Sequence, residues 1–121
     1  LHSIGFTVVC NDPFLKNINL VNFNKILDCD LISLHVPYTE NGKHPTKNLI
    51  DKDTLSRLDN KILINSSRGG VVNEEDLLKN STIKYVADVW NNEPLPSKAI
   101  VKKSLYIHRK PAPLEPRFTI I

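Results

Sequence analysis

Apolar runs separated by polar breaks divide the chain. Residues 6–10 (FTVVC) are apolar and β-branched and stop at Asn11-Asp12-Pro13, the pattern of a buried strand with a turn behind it. Leu20, Phe23, Lys25 and Leu27 recur among asparagines, so residues 20–27 read as a short helix. Residues 31–36 (LISLHV) predict a second buried strand, stopped by Pro37, and residues 38–47 hold Asn41-Gly42 and Pro45 and read as a loop. Asp51 or Asp53 is placed to cap a short helix running through Leu58.

The second half repeats the alternation. Residues 61–65 (KILIN) predict a third strand. Asn73 is placed to cap a helix over 74–79, with Glu74, Glu75 and Asp76 in a first turn that favours negative charge. Residues 83–89 (IKYVADV) predict a fourth strand and residues 105–107 a short fifth. Pro111, Pro113 and Pro116 exclude a helix or central strand beyond that point.

Buried strands alternating with helices predict an α/β fold, a parallel sheet with crossover helices. Such sheets bind ligands beyond the carboxyl ends of their strands. The predicted strand ends carry Asp12, His35-Val36-Pro37, Asn65-Ser66-Ser67-Arg68 and Asp88. Polar and ionisable residues therefore gather at one edge of the sheet.

Composition narrows the function classes. With 121 residues the chain has the size of one domain, and 40% hydrophobic and 24% charged residues are ordinary for a globular one. A net charge of +3 without a basic, aromatic-interleaved stripe gives no reason to expect nucleic acid. Lys102-Lys103 and His108-Arg109-Lys110 read as solvated charge. Cys10 and Cys29 lack metal-ligand spacing and are expected as reduced thiols of a cytoplasmic protein, Cys10 buried. No histidine pair has zinc spacing, so no metal is expected. No apolar run has the length of a membrane span and no signal peptide is present, so no membrane is expected either. The chain contains no Met and begins at Leu1, so it is expected to be a fragment.

Four residues invite chemistry, each against a plainer reading. A carboxylate at Asp12 can accept both hydroxyls of an adenosine ribose, but an Asp before Pro is also an ordinary turn residue, and alone that reading prevails. Arg68 offers paired donors to a carboxylate or carbonyl oxygen, on a Gly69-Gly70 hinge that lets backbone approach a ligand. A loop arginine beside a turn accounts for it equally well. Glu93, past a strand end and before Pro94, is placed to orient a catalytic histidine, although a solvated loop glutamate is the commoner case. Asp88 suits a carboxamide, or a turn cap.

The stretches INSSRGGVVNEEDLL and ADVWNNEPLP change that balance. Asn65-x-x-Arg68-Gly69, a helix, then Asp88-Val89-x-x-x-Glu93-Pro94 resembles the D-isomer-specific 2-hydroxyacid dehydrogenases, over residues 5–107. His35-x-Pro37 and its loop fit the same pattern. The resemblance implies NAD as cofactor and a partial Rossmann-type NAD-binding domain, a parallel sheet with flanking helices, over residues 1–107. It implies Arg68 holding the substrate's carboxylate and oxygen, and Glu93 paired with the catalytic histidine. It implies Asp12 on the adenosine ribose, Asp88 on the nicotinamide carboxamide, and Val36, Ser66, Ser67 and Arg68 lining the cofactor. The long loop at 38–47, Asp12-Pro13 and Trp90 fit one branch of the family. That branch oxidises a phosphorylated 2-hydroxy acid, 4-phosphoerythronate, on the route to pyridoxal phosphate. A cytoplasmic homodimeric parent is implied as well.

The departures are as specific. The family's Gly-x-Gly-x-x-Gly phosphate loop is absent and would lie before Leu1. Its catalytic Pro-His-x-x-Gly segment is absent too. His108 precedes the prolines and no Gly follows, so the catalytic role is not carried onto it. Residues 108–121 are expected to form a divergent, irregular tail, as a frame slip after Ile107 would produce. The isolated chain is expected to be inactive and prone to aggregation. The alternatives are another family member, such as a phosphoglycerate or generic 2-hydroxyacid dehydrogenase, and a non-catalytic remnant.

Overall fold

A computed structural model describes residues 4–16, 20–80 and 82–107. Its elements are α1 (Phe23–Ile26), β1 (Leu31–Leu34), α2 (Lys52–Leu55), β2 (Ile62–Asn65), α3 (Glu74–Lys79), β3 (Lys84–Ala87), α4 (Lys98–Lys103) and β4 (Ser104–Ile107). The four strands form one parallel sheet in chain order, β1-β2-β3-β4. Strands that follow one another in a single direction through right-handed crossovers carry their helices on one face. Accordingly α2 packs on α3 and α3 on α4. The core lies beneath them: Ile32, Leu34, Leu63 and Tyr85 from the sheet meet Leu55, Leu77 and Ile100 from the helices.

Each helix starts where a short polar side chain replaces a missing backbone partner. Asn22 Oδ1 accepts from Lys25 N at 3.0 Å, Asp51 Oδ1 from Thr54 N at 3.0 Å, and Asn73 Oδ1 from Asp76 N at 3.1 Å. Ser97 Oγ accepts from Ile100 N at 3.3 Å. Helix α4 has no counterpart in the sequence reading. Pro94 and Pro96 lie before its cap rather than inside it, so they do not oppose it.

Several expectations are corrected. Residues 6–10 form no strand. Phe6 and Val8 are 58% and 41% exposed, and Cys10 is exposed rather than buried. A strand needs a ladder for its backbone groups, and β1 pairs with β2 alone among the described residues. The sheet thus has four strands where five were expected. Strand β1 ends at Leu34 and alternates between exposed and buried positions instead of being buried on both faces. Helix α2 stops at Leu55, although Leu58 beyond it is fully buried. The tail at 108–121 lies outside the described residues.

Candidate active site

Parallel register sets the site. Leu34, Asn65 and Ala87 are direct neighbours at the carboxyl ends of β1, β2 and β3, so His35, Ser66 and Asp88 leave the sheet side by side. Asp88 N continues the ladder to Asn65 O at 3.0 Å. Ser66 Oγ donates to Leu34 O at 3.1 Å and lies 3.3 Å from His35 Nδ1. The other ring nitrogen of His35 lies 2.8 Å from Ser33 Oγ. Val36, half-buried against the core, forms an apolar wall next to this row.

Asn65 shapes the turn that follows β2. It is buried, and its Oδ1 accepts from both Ser67 N (3.1 Å) and Ser67 Oγ (2.7 Å). Its amide Nδ2 donates to Arg68 O at 3.2 Å. An asparagine that satisfies the backbone two and three residues on imposes a tight turn. The turn buries Ser67 and leaves Arg68 exposed, its Nη1 donating to Ser67 O at 2.8 Å.

Two loops grip the glycines behind Arg68. From one side comes the loop after β3. A Cβ on Gly69 would stand 2.1 Å from Trp90 O, so only a glycine permits this approach. Gly70 N donates to Asn91 Oδ1, and Asn91 N donates to Glu74 Oε1 at 2.9 Å. From the other side comes the loop after β1. Gly70 has φ +81°, and a Cβ there would lie 2.6 Å from the Tyr38 ring. Asn48 N donates to Gly70 O at 2.8 Å, and Ile50 bridges Val72 in parallel. Thr46 Oγ1 closes this long loop on itself through Pro37 O at 2.6 Å and Thr39 N at 2.8 Å.

Burial and charge mark three groups here. Glu74 is 9% exposed, and desolvation raises its carboxyl above the ordinary value of 4.5, against the bond from Asn91 N. Burial pushes the Tyr85 hydroxyl up to about 12. At the surface, the Tyr38 hydroxyl donates to Glu40 Oε1 at 2.7 Å and, with Lys47, holds that carboxyl below its usual range.

The structure therefore joins some of the residues singled out from sequence and not others. Arg68, Ser66, Ser67, Asp88 and Val36 share one edge of the sheet. Glu93 lies on the loop that grips the arginine turn, its Oε1 accepting from Trp90 N at 2.9 Å. Asp12 serves its own turn, its Oδ1 accepting from Phe14 N at 2.9 Å. Asn65 was read only as part of the motif and Glu74 only as a first-turn acid, and neither they nor Asn91 and Tyr38 were given a role at the site. The readable signal for Asn65 was an asparagine at a strand end followed two residues on by serine.

A parallel α/β sheet with polar groups and a glycine turn at its carboxyl edge defines a nucleotide-binding class of fold. The family model described as "D-isomer specific 2-hydroxyacid dehydrogenase, NAD binding domain" matches residues 1–108. The chain belongs to this family. Erythronate-4-phosphate dehydrogenase of Wigglesworthia glossinidia brevipalpis is 46% identical over 104 residues, which are 78% of this chain and 28% of that protein. The chain thus spans less than a third of this relative. NAD-dependent formate dehydrogenase of Staphylococcus aureus, solved with NAD, has 28% identity and a TM-score of 0.69 over 82% of this chain and 33% of that one. The holo form of Rhodotorula graminis D-mandelate dehydrogenase, at 22% identity, shares the fold with a TM-score of 0.74 over 88% of this chain and 34% of that one.

Proposed function

We propose that this chain supplies the substrate-facing part of the NAD-binding domain of an enzyme that oxidises 4-phosphoerythronate to its 2-oxo acid. The observation that carries the reading is the Asn65-shaped turn, which presents Arg68 at the sheet edge beside the loop that bears Glu93. Arg68 binds the substrate carboxylate through paired donors and draws charge from the C2 oxygen. Glu93 orients a catalytic histidine and stabilises the positive charge that this base acquires as it takes the substrate's hydroxyl proton. NAD, when bound, would supply the acceptor for the hydride from C2.

The residues at the sheet edge suit the cofactor's chemistry. Asp88 is exposed next to Ser66, where a carboxamide finds an acceptor, and Val36 gives an apolar surface beside them. Asp12, in its turn, keeps an acceptor for the ribose hydroxyls. Residues 1–107 form this part of the domain. The choice of 4-phosphoerythronate rests on the relatives of that name and on the long loop after β1, whose following residue Asn48 donates its amide to Gly70 O. Two unpaired cysteines suit a cytoplasmic enzyme.

The test is NAD reduction with 4-phosphoerythronate, 3-phosphoglycerate and D-lactate offered in parallel. It is run on the 121-residue chain and on the natural gene product that contains it. The chain alone is expected to be inert, and the gene product to prefer 4-phosphoerythronate. Preference for another acid moves the chain to another branch of the family. No turnover of any acid by the gene product makes the chain a non-catalytic remnant.

A further inference from the structure

We infer that Glu74 and Asn91 are positioning residues, which together fix the spacing between Arg68 and Glu93. The inference rests on the roles proposed above for those two groups. Helix α3 begins at Glu74, which is turned into the protein rather than out to water. Its carboxylate accepts from Asn91 N at 2.9 Å. The side chain of the same Asn91 accepts from Gly70 N. One residue therefore bonds the buried acid with its backbone and the arginine turn with its side chain.

The connections continue on both sides. Toward the substrate, Gly70 is two residues from Arg68, whose carbonyl is held by Asn65 Nδ2 at 3.2 Å. Toward the histidine, Asn91 follows Trp90, whose amide holds Glu93 Oε1 at 2.9 Å. Trp90 O also lies against Gly69 with no side chain between them. The two motifs are far apart in sequence, and nothing in a strand register fixes loop against loop. The Glu74–Asn91–Gly70 relay does so.

A helix-capping acid would not need burial, since a first-turn carboxylate acts well from the surface. Glu74 gives up solvation to reach a loop 17 residues away, a cost that the charge-assisted bond to Asn91 N offsets only in part. The conservative change Glu74→Gln keeps an acceptor oxygen for Asn91, whereas Glu74→Ala removes it. Asn91→Ala cuts only the second link, and Asn91 is exposed, so the fold is retained.

The experiment is amide hydrogen exchange, read residue by residue by NMR on the gene product that contains this chain, and it requires neither cofactor nor turnover. In Glu74→Ala, both Asn91 and Gly70 amides are expected to exchange about tenfold faster, the effect of losing one net hydrogen bond. Ladder amides such as Lys84 keep their rates, and Glu74→Gln restores both loop amides. In Asn91→Ala, Gly70 exchanges about tenfold faster while the amide of residue 91 stays protected. A Gly70 rate unchanged in Asn91→Ala overturns the inference, even where Glu74→Ala does not fold. So does a Glu74→Ala effect that spreads equally over the β2–β3 ladder, which would make Glu74 a general stability residue.

Discussion

Gly69 and Trp90 meet backbone to backbone: a Cβ on Gly69 would fall 2.1 Å from Trp90 O, 2.7 Å from its carbonyl carbon and 3.0 Å from Asn91 Cα. All three atoms are main chain, so no side-chain rotation relieves the clash. Gly69→Ala must therefore push the loop after β3 away from the arginine turn. The expected cost is about 1–3 kcal/mol, read as a lower midpoint in urea with an unchanged slope. A variant as stable as the wild type would show that the loops separate freely.

Glu74 gives a pH dependence whose sign follows from burial. Its folded-state pKa lies above the ordinary 4.5, with desolvation the largest cause. The folded state then binds the proton more tightly than the unfolded state, so this group's contribution is most favourable below 4.5. That contribution is lost as the pH rises through the folded value. Glu74→Gln keeps the acceptor without the buried charge. Its Tm is expected to equal or exceed that of the wild type at neutral pH, and the difference should shrink on acidification toward pH 4. A wild type that loses stability faster than the variant on acidification would contradict the burial argument.

Much of the fold was legible in the sequence because local chemistry decides it. Asn73 and the run Glu74–Lys79 were readable as cap and helix, since the cap residue and the first-turn acids agree. The strand over residues 62–65 was readable from its apolar run. Residues 6–10 have the same strand-like composition, yet no ladder partner among the described residues takes them up, and pairing is a long-range matter that composition does not carry. At the site, Arg68 and Glu93 could be picked out by motif. Asn91 could not, because its two bonds join loops whose approach depends on two glycines and a buried acid. Helix α4 was hidden by prolines that turn out to precede its Ser97 cap.

Tyr85 carries a polar atom that the core does not serve. Its ring is fully buried, and its Oη has no hydrogen-bond partner among the described residues, although Asn65 lies close enough to favour the ionised form. Burial raises the hydroxyl from 10.0 to about 12. Tyr85→Phe deletes an unsatisfied group without changing the ring, so stability is expected to rise by about 1 kcal/mol at neutral pH. The wild type should lose further stability as the pH climbs from 10 toward 12, where the unfolded chain releases a proton that the folded one keeps. The Phe variant should lack this alkaline loss, and denaturant melts at neutral and alkaline pH measure both effects. A destabilised Phe variant would reveal a bond to the hydroxyl.

Arg68 separates stability from recognition. The side chain is exposed, and among the described residues its hydrogen bond runs to the carbonyl of its own neighbour, Ser67, at 2.8 Å. Arg68→Lys should therefore change stability by less than about 0.5 kcal/mol. A lysine keeps the positive charge but gives up the paired, planar donors that match a carboxylate. Loss of one charge-assisted bond corresponds to about 10- to 100-fold in kcat/KM for the 2-hydroxy acid in the gene product that contains this chain. The affinity for NAD should change far less than kcat/KM for the acid. Thermal melts and steady-state kinetics on the same preparations check the two halves of the prediction. A lysine variant with full activity would mean that charge alone recruits the substrate, and that the turn built by Asn65 serves some end other than aiming a guanidinium.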